Sequence, residues 1–207
     1  MPRINGVSDS GAGPLVRLAY HFTRRALARV SQHATPAMLD PLRLYAHLPG
    51  LLRGYGALER ATAKLTGLDK RLRALAELTA ATLVACEYCI DLGSRISRDW
   101  GLSDAELLAL GNYHDSPLFT DLDKLVLDYA VGMCRTPASV PEELTARLRA
   151  HLSDAQLVEL THLIALENLR ARFNVALGVE AAGFSHGQVC ALPRREPLDR
   201  DGQGGHA

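Results

Sequence analysis

No surplus of charge of either sign marks this 207-residue chain: 23 Lys and Arg stand against 23 Asp and Glu, with no long block of like charge. The electrostatic footprint of a nucleic-acid binder is therefore missing. Long hydrophobic runs are missing too. The most apolar stretches, 75–85 and 157–166, are broken by Glu, Thr, Gln or His, well short of the roughly 20 residues that span a bilayer. No membrane-spanning segment is expected. Residues 1–13 carry one arginine and no apolar stretch, so no secretory signal is expected there and the cytoplasm is the expected compartment. Cysteine is scarce, with four in the chain, too few to staple a domain of this size. There is no second Cys-x-x-Cys and no His-x-x-x-His, so a structural zinc site is not expected and the metal expectation is none. Nor is there a phosphate-binding glycine loop. Gly54-Tyr-Gly56 lacks the strand-turn-helix setting that would give it meaning, so no nucleotide, flavin or other cofactor is expected.

What is present is helical patterning. Apolar residues recur at three and four, strict alternation is rare, and Ala, Leu, Arg and Glu dominate, a composition of good helix formers. The pattern predicts a single-domain, all-α bundle over 14–191, with helices near 14–30, 42–48, 51–65, 69–85, 88–100, 104–112, 121–135, 142–151 and 154–178. Residues 1–13 and 192–207, rich in Gly, Pro, Asp and Arg, read as disordered tails because they bury too little to offset ordering. Ser103 with Glu106 and Ser153 with Gln156 have the spacing of capping boxes, and Pro141 suits a helix start.

Chemistry concentrates at Cys86 and Cys89. Three positions apart on a helix, the two share a face and their sulfurs can meet, as a redox dithiol requires. A packing role is open on the same pattern. Cys86, Cys89, Ile90, Gly93, Ile96 and Trp100 form one stripe and Glu87, Asp91, Arg95 and Arg98 the opposite one, and cysteine is a good small core residue. The acidic neighbours Glu87 and Asp91 disfavour a thiolate. Three further groups are candidates for acid-base support: Glu167, a carboxylate within an otherwise apolar helix that needs a partner such as Arg170 or Asn174; His114, on a predicted loop; and Glu77. On a continuous helix Glu77 points nearly opposite to Cys86, so it reaches the sulfurs only if the helix kinks before them.

The stretch Leu68-Asp-Lys-Arg-Leu-Arg-Ala-Leu-Ala-Glu-Leu-Thr-Ala-Ala-Thr-Leu-Val-Ala-Cys-Glu-Tyr-Cys-Ile-Asp-Leu-Gly93 resembles the signature of the carboxymuconolactone decarboxylase and alkylhydroperoxidase-D superfamily. The segments 119–130 and 157–178, the latter with Asn168 and Arg172-Phe173-Asn174, resemble its later helices. The resemblance implies the alkylhydroperoxidase-D-like helical fold and assembly as a homo-oligomer. It also implies a thiol-dependent oxidoreductase in which one cysteine, usually the later one, here Cys89, attacks a peroxide or disulfide and the other closes a Cys86–Cys89 bridge. A separate dithiol reductant, whose identity the sequence leaves open, would then reset the pair. The chain departs from the peroxidase branch where that branch carries a glutamate and a histidine as a proton relay. Here those positions are Ala74 and Gly93, and such acid-base help contributes roughly 100- to 10,000-fold in rate. The departures favour an alternative, a non-redox member acting as an oligomeric ligand-binding or interaction protein. A decarboxylase of the lactone-processing branch ranks third.

Overall fold

In a computed structural model that describes residues 2–31 and 35–193, the described part of the chain is all helical. The helices are α1 (Pro14–Val30), α2 (Asp40–Tyr45), α3 (Pro49–Thr62), α4 (Lys70–Leu83), α5 (Glu87–Asp99), α6 (Asp104–Ala109), α7 (Asp121–Cys134), α8 (Glu142–Arg149) and α9 (Asp154–Leu177). Short 3₁₀ turns at Pro36–Leu39 and Leu110–Asn112 complete the set. The predicted helices all form, and the turn at Pro36–Leu39 is an addition that no 3.6-residue periodicity announces.

α4 is the centre of the bundle, packed against α5, α7 and α9. Its sequence suits that position. Ala74, Ala76, Ala80 and Ala81 are buried beside Leu72, Leu75 and Leu78, and the alanines let three neighbouring helices approach while the leucines fill the gaps between them. The helix ends are fixed locally. Ser103 with Glu106 and Ser153 with Gln156 make reciprocal capping boxes, and Thr120 with Asp123 makes a third. Asp69 caps α4 by accepting the Arg71 N–H. The Arg71 guanidinium then bridges Asp123 of α7 and Glu106 of α6 at 3.0 and 2.6 Å, so the starts of three helices are tied at one partly buried cation. Among the described residues no helix is long and apolar enough to cross a membrane.

Both ends of the described chain lie against the bundle. The expectation of a free tail at 1–13 needs correction for residues 2–13. Arg3 donates its backbone N–H to the Leu177 carbonyl, Val7 donates to that of Arg43, and the buried Tyr20 hydroxyl donates to the Val7 carbonyl. Backbone pairing and a salt bridge from Arg24 to Asp9 hold a segment whose side chains offer little apolar surface. Leu192 and Pro193 are exposed, and the remainder of the expected C-terminal tail, 194–207, lies outside the described residues.

Residues 179–191 run back across α5. Asp91 accepts the backbone N–H groups of Ala182, Gly183, Phe184 and Ser185 at 2.7 to 3.0 Å. Ser94 accepts the N–H of Ala191, and Arg98 donates to the Val189 carbonyl. The helix face that its charges mark as solvated is therefore partly covered, and Asp91 is buried.

Candidate functional site

The site begins at a break in the chain. α4 ends at Leu83 with Val84 as its C-cap, and Ala85 takes up a left-handed conformation, φ 55°. The Cys86 N–H returns to the Ala81 carbonyl and the Ala85 N–H to that of Thr82, the paired bonds of a Schellman ending. Glycine normally fills the left-handed position; here alanine does. Cys86 follows at once as the N-cap of α5, its sulfur accepting the Cys89 N–H at 3.2 Å. Cys89 lies in the first turn. An N-cap and a first-turn position both face unpaired backbone N–H groups and the positive end of the helix dipole, which favours negative charge on sulfur.

The two cysteines are a bonded pair, with Cα atoms 5.2 Å apart. Cys86 is fully enclosed and Cys89 is 8% exposed, so any partner from solvent meets Cys89 first. Tyr88, between them, is buried with its ring edge-on to Phe184 and its hydroxyl donating to the Met38 carbonyl. Burial pushes its phenol well above the ordinary range, so it stays protonated. From α9, Asn174 reaches the pair: its Nδ2 is 3.5 Å from Cys89 Sγ and 3.8 Å from Cys86 Sγ. Asn174 is 3% exposed, and its Oδ1 is buried with no hydrogen-bond partner.

Glu167 and Glu77 come together in a second polar group. The Arg170 guanidinium contacts Glu59 at 2.6 Å, Glu167 at 3.0 Å and Glu77 at 3.3 Å, while Arg73 holds Glu77 at 3.1 Å. Tyr55 hydrogen-bonds Glu59. Three carboxylates thus share two guanidinium groups, and the cluster is neutral only when one acid is protonated. Burial, opposed by Arg170 and reinforced by the charge of Glu77, raises Glu167 from 4.5 to about 7, so Glu167 holds that proton. Burial works the same way on Glu59, but the bonds from Arg170 outweigh it and leave its pKa lowered. Glu167 lies seven residues from Asn174 on α9, about 10 Å along the axis. Glu77 faces the arginines.

His114 stands apart from both groups. It is 62% exposed at the surface and pairs with Asp128 at 3.1 Å. Ala74 and Gly93, where the resemblance expects a relay, are both packed positions. Ala74 is buried in the core, and a Cβ added at Gly93 would lie 3.1 Å from Leu78 Cδ1. Among the described residues no group of three or more His, Cys, Asp or Glu is arranged to hold a metal ion.

Residues 49–118, which include the helix break and both cysteines, match the carboxymuconolactone decarboxylase family. The uncharacterized protein YnjA of Escherichia coli is 37% identical over 163 residues, covering 76% of this chain and 85% of that protein. The chain belongs to the carboxymuconolactone decarboxylase family. The fold agrees with solved structures. The alkylhydroperoxidase AhpD core of an uncharacterized peroxidase-related protein from Ralstonia eutropha superposes with a TM-score of 0.72 at 20% identity, over 91% of this chain and 97% of that one. The debrominase Bmp8, solved in complex with 2,3,4-tribromopyrrole, superposes with a TM-score of 0.71 at 16% identity, over 88% and 92%. At these identities the two likenesses carry the fold alone. What the family resemblance did not disclose is the role of two side chains. Asn174 and Asp91 are polar groups tied to the cysteine helix, and the sequence marked Asn174 only as part of the family-like Arg172-Phe173-Asn174 segment and as a neighbour of Glu167.

Proposed function

We propose that the protein is a thiol-dependent oxidoreductase that reduces a peroxide or a disulfide through Cys86 and Cys89. The observation that carries this reading is the bonded pair at the start of α5, with Cys86 as N-cap, Cys89 in the first turn, and an amide directed at both sulfurs. In the reduced state the Cys89 thiolate attacks the outer oxygen of a hydroperoxide. The O–O bond breaks, the alkoxide takes a proton from solvent, and Cys89 becomes a sulfenic acid. The Cys86 thiol then attacks the Cys89 sulfur, the bridge forms, and water leaves. A dithiol reductant returns two electrons and resets the pair. The greater exposure of Cys89 supports it as the attacking sulfur. We also infer that the chain functions as a homo-oligomer: Leu15, Leu18 and Phe22 are exposed on one stripe of α1, apolar surface of the kind an interface covers.

The test is to reduce the folded protein, add an organic hydroperoxide, and follow Cys86–Cys89 bridging by intact and peptide mass spectrometry, with Cys89→Ser as control. Rapid bridging that a dithiol reverses is the expected result. Thiols that stay reduced in the folded protein would refute the reading. The near-complete enclosure of both cysteines and the absence of the relay at Ala74 and Gly93 would then favour the non-redox alternative, a binding or interaction protein in which the pair is packing.

A further inference from the structure

We propose that Asn174 is the thiolate-binding residue of this site, its carboxamide serving the reduced pair in place of a titratable relay; the inference rests on the thiol reading above. Four observations converge on this side chain. Its Nδ2 lies within hydrogen-bond reach of both sulfurs, nearer to Cys89. It is enclosed, at 3% exposure, so water cannot substitute for it. Its Oδ1 has no donor in the bridged state, an arrangement that costs free energy if permanent. Its backbone is pinned, because Gly178 takes the left-handed conformation that ends α9 and the Val179 N–H donates to the Asn174 carbonyl.

The unpartnered oxygen fits the reduced pair. When a dithiol reduces the bridge, the Sγ–Sγ bond breaks and the pair gains two electrons and one proton, while the second proton of the dithiol goes to solvent and the reductant closes its own disulfide. The products on the protein are one thiolate and one thiol. A carboxamide offers one of each complement: the Nδ2–H donates to the thiolate, and Oδ1 accepts the new S–H. In the bridged state there is no S–H for Oδ1 to accept. The amide is thus matched to the singly protonated dithiol and mismatched to the disulfide. That preference stabilises the reduced form and depresses the thiol pKa without a group that itself titrates near neutral pH.

The experiment compares the full-length reduced protein with Asn174→Leu and Asn174→Asp. The first removes donor and acceptor at similar volume; the second keeps the shape and replaces the N–H donor with a carboxylate. Iodoacetamide alkylation of Cys86 and Cys89 is followed from pH 5 to 10 by peptide mass spectrometry, and the dithiol–disulfide equilibrium is measured in glutathione buffers. Loss of one hydrogen bond to a charged sulfur is expected to slow alkylation at pH 7 by about tenfold, move its pH profile up by about one unit, and shift the equilibrium about tenfold toward the bridge. The Asp variant is expected to exceed the Leu variant in the profile shift, because a carboxylate beside the sulfur opposes its charge. Circular dichroism and a thermal melt report folding; should the Leu variant not fold, the Asp variant decides alone. Profiles and equilibria that overlay those of the wild type, in a protein whose pair bridges with hydroperoxide, overturn the role of Asn174 and leave the thiol reading standing. A wild-type pair that neither bridges nor alkylates in the folded state overturns both.

Discussion

Replacing Asp91 by alanine removes the carboxylate that accepts four backbone N–H groups of residues 182–185, and the structure sets the size of the effect. Four backbone N–H groups lose a charged acceptor at 2.7 to 3.0 Å, in a place where Asp91 is 5% exposed. If the segment stayed in position, each buried orphan donor would cost about 1 to 3 kcal/mol, and the sum over four donors would match or exceed what else holds the segment down. The remaining anchors are the buried Phe184, worth about 2 to 3 kcal/mol, and four hydrogen bonds, from Arg98 to Val189, from Ala191 to Ser94, from the Ser185 hydroxyl to the Asp91 carbonyl and from the Thr35 hydroxyl to the Ala182 carbonyl, worth about 1 kcal/mol each. Release of the segment gives up these anchors and caps the loss at about 6 to 7 kcal/mol. Urea denaturation measures the global change, and amide hydrogen exchange locates it. The expected outcome is near-complete loss of protection at 182–185, with the centre of α4 opening only in global unfolding. Because Phe184 rests on Tyr88 between the two cysteines, the reduced pair should also alkylate faster in the variant. Asp91→Asn, which keeps one acceptor oxygen, should fall between. Retained protection at 182–185 together with a global loss below about 1 kcal/mol would refute the reasoning.

Two further perturbations follow from the same geometry. Glu167, with a pKa of about 7 in the folded protein against 4.5 ordinarily, stays protonated when folded over a range where the unfolded chain has lost its proton. Its contribution to stability is full below about pH 4.5 and disappears as the pH rises through 7, a loss on the order of 3 kcal/mol. Glu167→Gln should therefore flatten the stability profile between pH 5 and 8, and melts whose slopes match the wild type over that range would contradict it. Ala85→Gly relieves the left-handed conformation of a residue with φ 55°. It should stabilise the protein by about 1 kcal/mol, and an unchanged or lowered melting temperature would show that Ala85 is not strained.

The helices were legible because periodicity and capping are local. Ser103, Glu106, Ser153 and Gln156 signal their ends within four residues, whereas the break before Cys86 carries no such signal, because alanine stands in the left-handed position that glycine usually marks. The family resemblance likewise rests on a contiguous stretch around Cys86 and Cys89. What escaped the sequence depends on chain segments far apart. Asp91 sits on the charged stripe of α5 as its helical position requires, but what covers that stripe is an aperiodic segment some 90 residues later, and no spacing rule connects the two. Glu167 could be read as an acid in need of a partner because Arg170 is one turn away. Glu59, which takes the same guanidinium from 111 residues away, could not. Asn174 was visible as part of the family-like Arg172-Phe173-Asn174 segment and as a neighbour of Glu167, but its contact with the sulfurs was not, because that depends on α5 coming to it.

Both relay positions are closely packed in this chain. Ala74 lies in the most crowded helix of the bundle, where a glutamate would put a carboxylate into the apolar contacts of α4, and a side chain at Gly93 would have to displace Leu78 at the contact between α4 and α5. With Ala74 and Gly93 at the relay positions, the groups next to the sulfurs are an amide and the backbone N–H groups at the start of α5, both fixed dipoles. The acid that does hold a proton near neutral pH, Glu167, is two turns along α9 and engaged with Arg170. Reactivity at Cys86 and Cys89 is then governed by how strongly fixed donors favour a desolvated thiolate. Its dependence on pH should follow the titration of the thiol itself, since neither an amide nor a helix end changes charge across that range.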